Sequence, residues 1–310
     1  MGPRYPKTVL DFEHKFRTEE ACRDYVIGLR WPEGIRCPKC GHGQVWKTAH
    51  GVLRCGGCQA DISVIAGTVF EGSKLPLRVW FRAMWWVTNQ KSGVSALGLQ
   101  RTLGLGSYET AWAMLHKLRR AMVRPGREQL SGEIEVDETI VGGKRRAKEG
   151  RYRGRYPEKA IVAIAVEVRG KHIGRIRLQQ VREPSQGNLL PFVKRVAVPG
   201  SAIITDGWWG YHGLDKMGFS HQRIVTDGKG REIHDFVMPR VHRVAALLKR
   251  WLLGTHQGRV SREHLDYYLD EFTFRFNRRA SPARGWLFQR LLEQAVTIEP
   301  STYNELVKCR

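Results

Sequence analysis

Gly132-Glu-Ile-Glu-Val-Asp-Glu-Thr-Ile-Val-Gly-Gly143 is the stretch on which the reading of the chain turns. Glu133, Glu135 and Asp137 alternate with Ile134 and Val136, the period of two that gives a strand two distinct faces. Three acids on one covered face repel one another, which favours a cation-binding purpose over a structural one. Gly142-Gly143 ends the strand, and a basic run follows at once: Lys144, Arg145, Arg146, Lys148, Arg151, Arg153 and Arg155, with Glu149 as its one acid. Such a run is usually a solvated loop. Beside an acidic strand, with glycines and a tyrosine interleaved, phosphate contact is the expected role. Acid next to base in this way suggests metal-assisted chemistry on a polyanion.

The whole chain agrees with that partner. In 310 residues, 52 Lys and Arg against 30 Asp and Glu give a net charge of +22 and a pI near 10.2. Self-repulsion on this scale costs stability, and nucleic acid is the economical explanation. No apolar run approaches the roughly 18 residues of a spanning helix, and the polar Met1–Lys7 start lacks the apolar centre of a signal peptide. The expectation is therefore a cytoplasmic, nucleoid-associated protein with no membrane partner.

Four of the six cysteines fall in two close pairs, Cys37-Pro-Lys-Cys40 and Cys55-Gly-Gly-Cys58, with fourteen residues between them. Each pair can form a tight knuckle presenting two thiolates, and two knuckles make a closed tetrahedral Zn²⁺ site. With Gln44–Thr48 and Val52–Arg54 read as a short hairpin, the unit is a zinc ribbon over about residues 31–70. Cys22 and Cys309 stand alone and read as incidental thiols. Before the ribbon, residues 1–30 read as an amphipathic helical segment with Phe12, Phe16, Cys22, Tyr25, Val26 and Leu29 as its apolar positions.

Residues 71–125 turn helical. The aromatic stripe Trp80, Phe81, Met84, Trp85, Trp86 is expected in a core. Ser95 then caps a short helix, Gly104-Leu-Gly106 makes a turn, and Ser107 with Thr110 starts a longer helix ending in Lys117-Leu-Arg-Arg120. The pattern is that of a helix-turn-helix with Lys117, Arg119 and Arg120 on DNA, although any helical hairpin can look this way.

Two more strands follow the basic run, 160–168 and 172–181, joined by a turn at Arg169-Gly170-Lys171. The first is apolar on both faces and should be central. After a helix over 189–196, the apolar run Ala202-Ile-Ile-Thr enters Asp206-Gly-Trp-Trp-Gly-Tyr211, which puts Asp206 at the carboxyl end of a strand, where open sheets hold ligands. A turn-forming Asp would look the same, but a partner at Asp137 favours function. Helices are expected over 239–253, 261–276 and 284–292. On the first, His242 and Lys249 lie seven residues apart and share a face.

Five pieces, taken in order, resemble the insertion-sequence transposases of the zinc-ribbon DDE type, the ISXO-like group, from about Phe12 onward. They are Arg30-Trp-Pro-x-Gly-x-x-Cys-Pro-x-Cys40, Glu135-Val-Asp-Glu-Thr-x-x-Gly-Gly143, Thr205-Asp-Gly-Trp-x-Gly-Tyr211, Leu248-Lys-Arg-Trp-Leu-x-Gly-Thr-His256 and Tyr268-Leu-x-Glu-Phe-x-Phe-Arg-Phe-Asn-Arg-Arg279. The resemblance implies an α/β fold, a ribonuclease H-like mixed sheet flanked by helices over residues 130–295, then a tail over 296–310. It implies cleavage and strand transfer on double-stranded DNA, both terminal inverted repeats and target, by a homodimer or larger assembly. Asp137, Asp206 and His242 would hold two Mg²⁺ or Mn²⁺ ions, with Lys249 near the scissile phosphate. His242 stands where many DDE enzymes carry Glu, although members of this group vary there. An imidazole suits Mn²⁺ better than Mg²⁺. Glu133 and Glu135 are expected to play at most a supporting part, and Glu138 to face away from Asp137. A zinc-ribbon DNA-binding regulator without catalysis, or another ribonuclease H-like nuclease of resolvase type, are the rival readings. Metal-dependent nicking separates the first, and strand-transfer products the second.

Overall fold

Two bodies, each with its own core, make up the chain in the computed structural model, which describes residues 5–48, 52–124, 126–142, 159–225, 238–258 and 260–308. Met1–Arg124 and Ser281–Arg310 form one body, Pro125–Ala280 the other. The basic run from Lys144 to Arg155 lies outside the described residues.

In the first body the N-terminal helical segment is two helices, α1 (Val9–Lys15) and α2 (Glu19–Arg30). The break comes from capping. The Thr18 side chain accepts from the Ala21 N–H at 3.1 Å, so a new helix starts there, just as Thr8 and Asp11 form a reciprocal capping box for α1. Strands β1 (Val45–Lys47), β2 (Leu53–Cys55) and β3 (Asp61–Ile62) form a small antiparallel sheet, one strand more than the expected hairpin. Helix α3 (Leu77–Asn89) begins at Pro76, which offers no side-chain cap. Glu19 of α2 supplies one instead, its carboxylate accepting the N–H groups of Leu77 at 2.7 Å and Arg78 at 3.0 Å. Trp80, Phe81, Met84 and Trp85 are core, as expected, whereas Trp86 of the same stripe is exposed; Phe12, Phe16, Phe81 and Phe288 meet mostly edge to face. Helices α4 (Ala96–Leu103) and α5 (Tyr108–Arg120) follow, each capped by the expected serine, with Gly104 at φ 64° ending α4.

The second body is built on a five-stranded sheet. Strands β4 (Glu133–Val141), β5 (Ala160–Arg169) and β6 (His172–Val181) form an antiparallel meander; β7 (Ala202–Asp206) and β8 (Ser220–Ile224) add in parallel on the other side of β4. The spatial order is β6-β5-β4-β7-β8, the mixed-sheet topology of a ribonuclease H-like fold. Strand β5 is central in burial and apolar on both faces, as expected. Its branched Val162, Ile164 and Val166 face α7 (Pro239–His256) and α8 (Leu265–Asn277), while its small Ala163 and Ala165 leave room for Phe192 of α6 (Gln186–Val196) on the opposite face.

Helix α7 buries Val241, Val244, Leu248 and Leu252, a stripe at helical spacing worth about 1.5–3 kcal/mol per side chain. Truncating Leu248, fully buried at its centre, would cost about 2–5 kcal/mol. The motif at the end of α8 proves to be a fastener: the Asn277 amide accepts the Ile176 N–H at 2.7 Å and donates to the Ile176 carbonyl at 3.2 Å, satisfying the edge of β6. The expected catalytic region runs to residue 295, but the sheet body ends at Ala280. The reason is that α9 (Arg284–Ala295) buries Leu287, Phe288, Leu291 and Leu292 in the first body, beside α3. A last helix, α10 (Tyr303–Lys308), belongs to that body too.

Candidate active site

The four cysteines gather tightly. Cys37 and Cys58 sulfurs lie 3.6 Å apart, Cys40 and Cys55 sulfurs 3.5 Å, and all four lie within 4.8 Å of one another. A tetrahedron of Zn–S bonds near 2.3 Å has sulfur–sulfur edges of about 3.8 Å, so the cluster fits a structural zinc. The backbone N–H of Cys58, and after it that of Gly57, outweigh burial and pull the Cys55 thiol down to about 6, toward the thiolate a metal needs. Arg30 braces this unit, its guanidinium donating to the carbonyls of Ser63 at 3.3 Å, Val64, and Ala66 at 2.7 Å. Among the described residues, these cysteines are the one group of three or more ligating side chains drawn this close.

The basic end of α5 corrects one expectation. Lys117 and Arg119 are buried, and the Lys117 amine donates to the Glu71 carbonyl at 3.1 Å. Both charges point into the first body because that face of α5 also carries Met114, Leu115 and Leu118. Neither is available to a phosphate in this arrangement, whereas Arg120 is half-exposed.

The sheet edge gathers most of the other expected residues. Glu133, Ile134 and Glu135 of β4 stand opposite Ala202, Ile203 and Ile204 of β7. The pairing ends there, and two residues beyond it on each strand stand Asp137, in the middle of β4, and Asp206, the last residue of β7. Alternation puts both on the face covered by α7. From that helix the His242 Nε2 reaches to 3.3 Å from the Asp137 Oδ2, both side chains about one-fifth exposed. Lys249, exposed, sits two turns further along α7, about 10 Å from His242.

The other acids of β4 have separate tasks. Glu133 is exposed. Glu135 is only 2% exposed and accepts the N–H groups of Arg240 at 2.9 Å and Val241 at 2.8 Å, together with the Arg240 guanidinium at 2.9 Å. Its charge is therefore met by a helix N-terminus and an arginine rather than by a metal ion. This is a supporting part, as expected of Glu135, played through α7. Glu138 faces the opposite side of the sheet, as alternation requires. Burial first, and then the charges of Asp137 and Asp206, push its carboxyl up to about 7 against the opposing hydrogen bond from Tyr211.

The turn after Asp206 explains why its residues are spaced as they are. The Asp206 Oδ1 accepts the Trp208 N–H at 3.0 Å, and the Trp208 indole donates to the Pro184 carbonyl at 2.6 Å. At position 210 a β-carbon would stand 2.6 Å from that same carbonyl, so only glycine fits. Tyr211, fully buried, then delivers its hydroxyl to Glu138 Oε2 at 2.7 Å. Neither the Tyr211–Glu138 nor the Arg240–Glu135 pairing is visible in the sequence beyond the fixed spacing of the motifs that hold them.

A family model described as an ISXO2-like transposase domain matches residues 129–277, and one described as a transposase zinc-ribbon domain matches residues 17–61. An uncharacterized protein in transposable element ISH50 of Halobacterium salinarum is 25% identical over 299 residues, covering 91% of this chain and 98% of that protein. The catalytic core domain of BIV integrase aligns at 18% identity with a TM-score of 0.27, over 46% of this chain and 81% of that one, too loosely to bear on the fold. Among the described residues no helix is long and apolar enough to cross a membrane.

Proposed function

Because the chain belongs to the ISXO2-like, zinc-ribbon transposases of insertion sequences, and so binds DNA, we propose that its cutting and joining centre is built from Asp137, Asp206 and His242. The observation that supports this reading is His242 Nε2 at 3.3 Å from Asp137 Oδ2, with Asp206 closing the neighbouring parallel strand β7. Their donors, two carboxylates and an imidazole, fit Mg²⁺ or Mn²⁺, with the imidazole favouring Mn²⁺. Two such ions would activate the attacking water or 3′-hydroxyl and stabilise the leaving oxygen of an in-line displacement.

The chain's own residues supply the rest. Asp137 and Asp206 fix two carboxylates on paired strands, and the Glu135 grip on Arg240 and Val241 sets the position of α7, and so of His242. Lys249, exposed on the same helix, would hold the phosphate backbone. The run Lys144, Arg145, Arg146, Lys148, Arg151, Arg153 and Arg155 would add charge next to Asp137 along the chain. Terminal inverted repeats and target DNA are the proposed substrates, engaged by at least two copies, because two ends must be joined. The domain limits proposed from the sequence, with the ribbon over 31–70 and the hairpin over 71–125, are retained as functional divisions.

The direct test is nicking of supercoiled plasmid and element-end duplexes with Mg²⁺ or Mn²⁺. Wild type should nick and Asp137→Asn should not, while both bind DNA equally. DNA binding without any metal-dependent nicking by wild type would favour a regulator without catalysis.

A further inference from the structure

Trp208 and Trp209 follow Asp206 by two and three residues, yet both remain in water, 38% and 50% exposed. The turn that carries them is not loose. Asp206 holds the Trp208 N–H, the Pro184 carbonyl holds its indole, Gly210 lies against that carbonyl, and Tyr211 is anchored on Glu138. The two indoles sit with ring centroids 5.7 Å apart and planes tilted by 47°. Trp209 is thus an open aromatic face on a fixed mount. Three residues of chain reach at most about 11 Å, so its Cα stands within that distance of the Asp206 Cα. On β8, the exposed Arg223 lies opposite Thr205 in register, its guanidinium 3.0 Å from His212 Nε2, placing a cation at the same end of the sheet.

An exposed flat apolar face, a fixed mount and a nearby cation are what an unpaired nucleobase and its phosphate require: any base has a π-face, and stacking tolerates all sequences. We propose that Trp209, backed by Trp208, stacks on a nucleobase drawn out of the DNA duplex beside the phosphate to be cut at the Asp206 centre, with Arg223, at the same end of the sheet but on its other face, meeting the backbone. This rests on the reading of Asp206 as part of the cutting centre. A base already unpaired would bind best, since extrusion from a duplex costs energy.

The test is binding without cutting, using the full-length zinc-loaded chain with no Mg²⁺ or Mn²⁺. A short oligothymidylate and an abasic oligomer of equal length carry the same phosphates, so the ratio of their affinities isolates the base. Wild type should prefer the oligothymidylate by about tenfold, within the range that stacking of single bases supplies. Trp209→Ala and Trp209→Leu should bring the ratio near one. Trp209→Phe should keep most of it, and so should Trp46→Ala, which removes an indole 45% exposed in the ribbon. Trp209→Leu keeps apolar bulk without a stacking face, so a folding defect of the alanine variant does not obscure the result. An unchanged ratio in Trp209→Leu overturns the proposal. So does an unchanged ratio accompanied by loss of self-association on sedimentation, which would assign these indoles to contact between copies. Failure of wild type to nick DNA would be read in a separate assay and would count against the cutting centre, not against stacking.

Discussion

The Tyr211 hydroxyl donates to Glu138 Oε2 at 2.7 Å, tying the turn that follows Asp206 to the strand that carries Asp137. The bond joins two motifs 73 residues apart and lies on the sheet face opposite the proposed cutting centre. Tyr211→Phe would leave a buried carboxyl without this donor, at a cost of about 1–3 kcal/mol. Denaturant unfolding should register that loss. Cutting should fall further than DNA binding, because the turn sets Asp206.

Glu135 is the second fixed point. Glu135→Ala would strand the Arg240 guanidinium and two N–H groups at the start of α7. The side chain of Arg240 is 24% exposed, so we expect about 2–3 kcal/mol, below the roughly 3–5 of a fully buried pair. Nicking should drop while the affinity for DNA holds, since His242 loses its placement and the basic residues do not. Limited proteolysis near Pro239 would report the loosened helix.

Glu167 gives a pH signature. Burial would raise its carboxyl, but hydrogen bonds from the Arg175 side chain and backbone, with the charges of Arg175 and Arg169, pull it from 4.5 to about 2. A carboxyl depressed on folding adds stability that is whole above about pH 4.5 and is lost as pH falls through about 2. Glu167→Gln should therefore cost about 2–3 kcal/mol at neutral pH, the scale of this shift at about 1.36 kcal/mol per unit, discounted for the exposed Arg169. The gap between variant and wild type should close between about pH 4.5 and 2. Urea unfolding at a series of pH values measures it.

Removing zinc should act locally. The ribbon's strands are two or three residues long and bury only Leu53, Cys55 and Ile62, too little core to hold them without metal. Chelation should abolish ordered structure around Cys37–Cys58 and leave the unfolding transition of the sheet body in place. Hydrogen exchange before and after chelation distinguishes this from collapse of the whole chain.

Much of this is legible in the sequence, for reasons that differ by element. The helical hairpin can be read because Ser95, Gly104 and Ser107 act locally as caps, independent of tertiary context. Strand β5 can be read because it is buried on both faces. Strand β8 cannot: Ser-His-Gln-Arg-Ile is polar and sits at the sheet's edge, where no face demands a pattern. Lys117 and Arg119 are misread because a run of basic residues at a helix end looks solvated until the packing of that face is seen. The task of Glu135 is not legible because its arginine lies 105 residues away. Alternation locates the acids on one face; only the fold separates Glu135, held by an arginine, from Asp137, which meets His242.

Asp137, Asp206 and His242 are proposed to act as one centre. Strand transfer by the purified chain on its own element ends, with Mn²⁺ and with Mg²⁺, tests it most directly when wild type is compared with Asp206→Asn and His242→Ala. Wild type should give transfer products, more with Mn²⁺, and each variant should lose about a hundredfold or more with end binding retained. Undiminished transfer by both variants would contradict it.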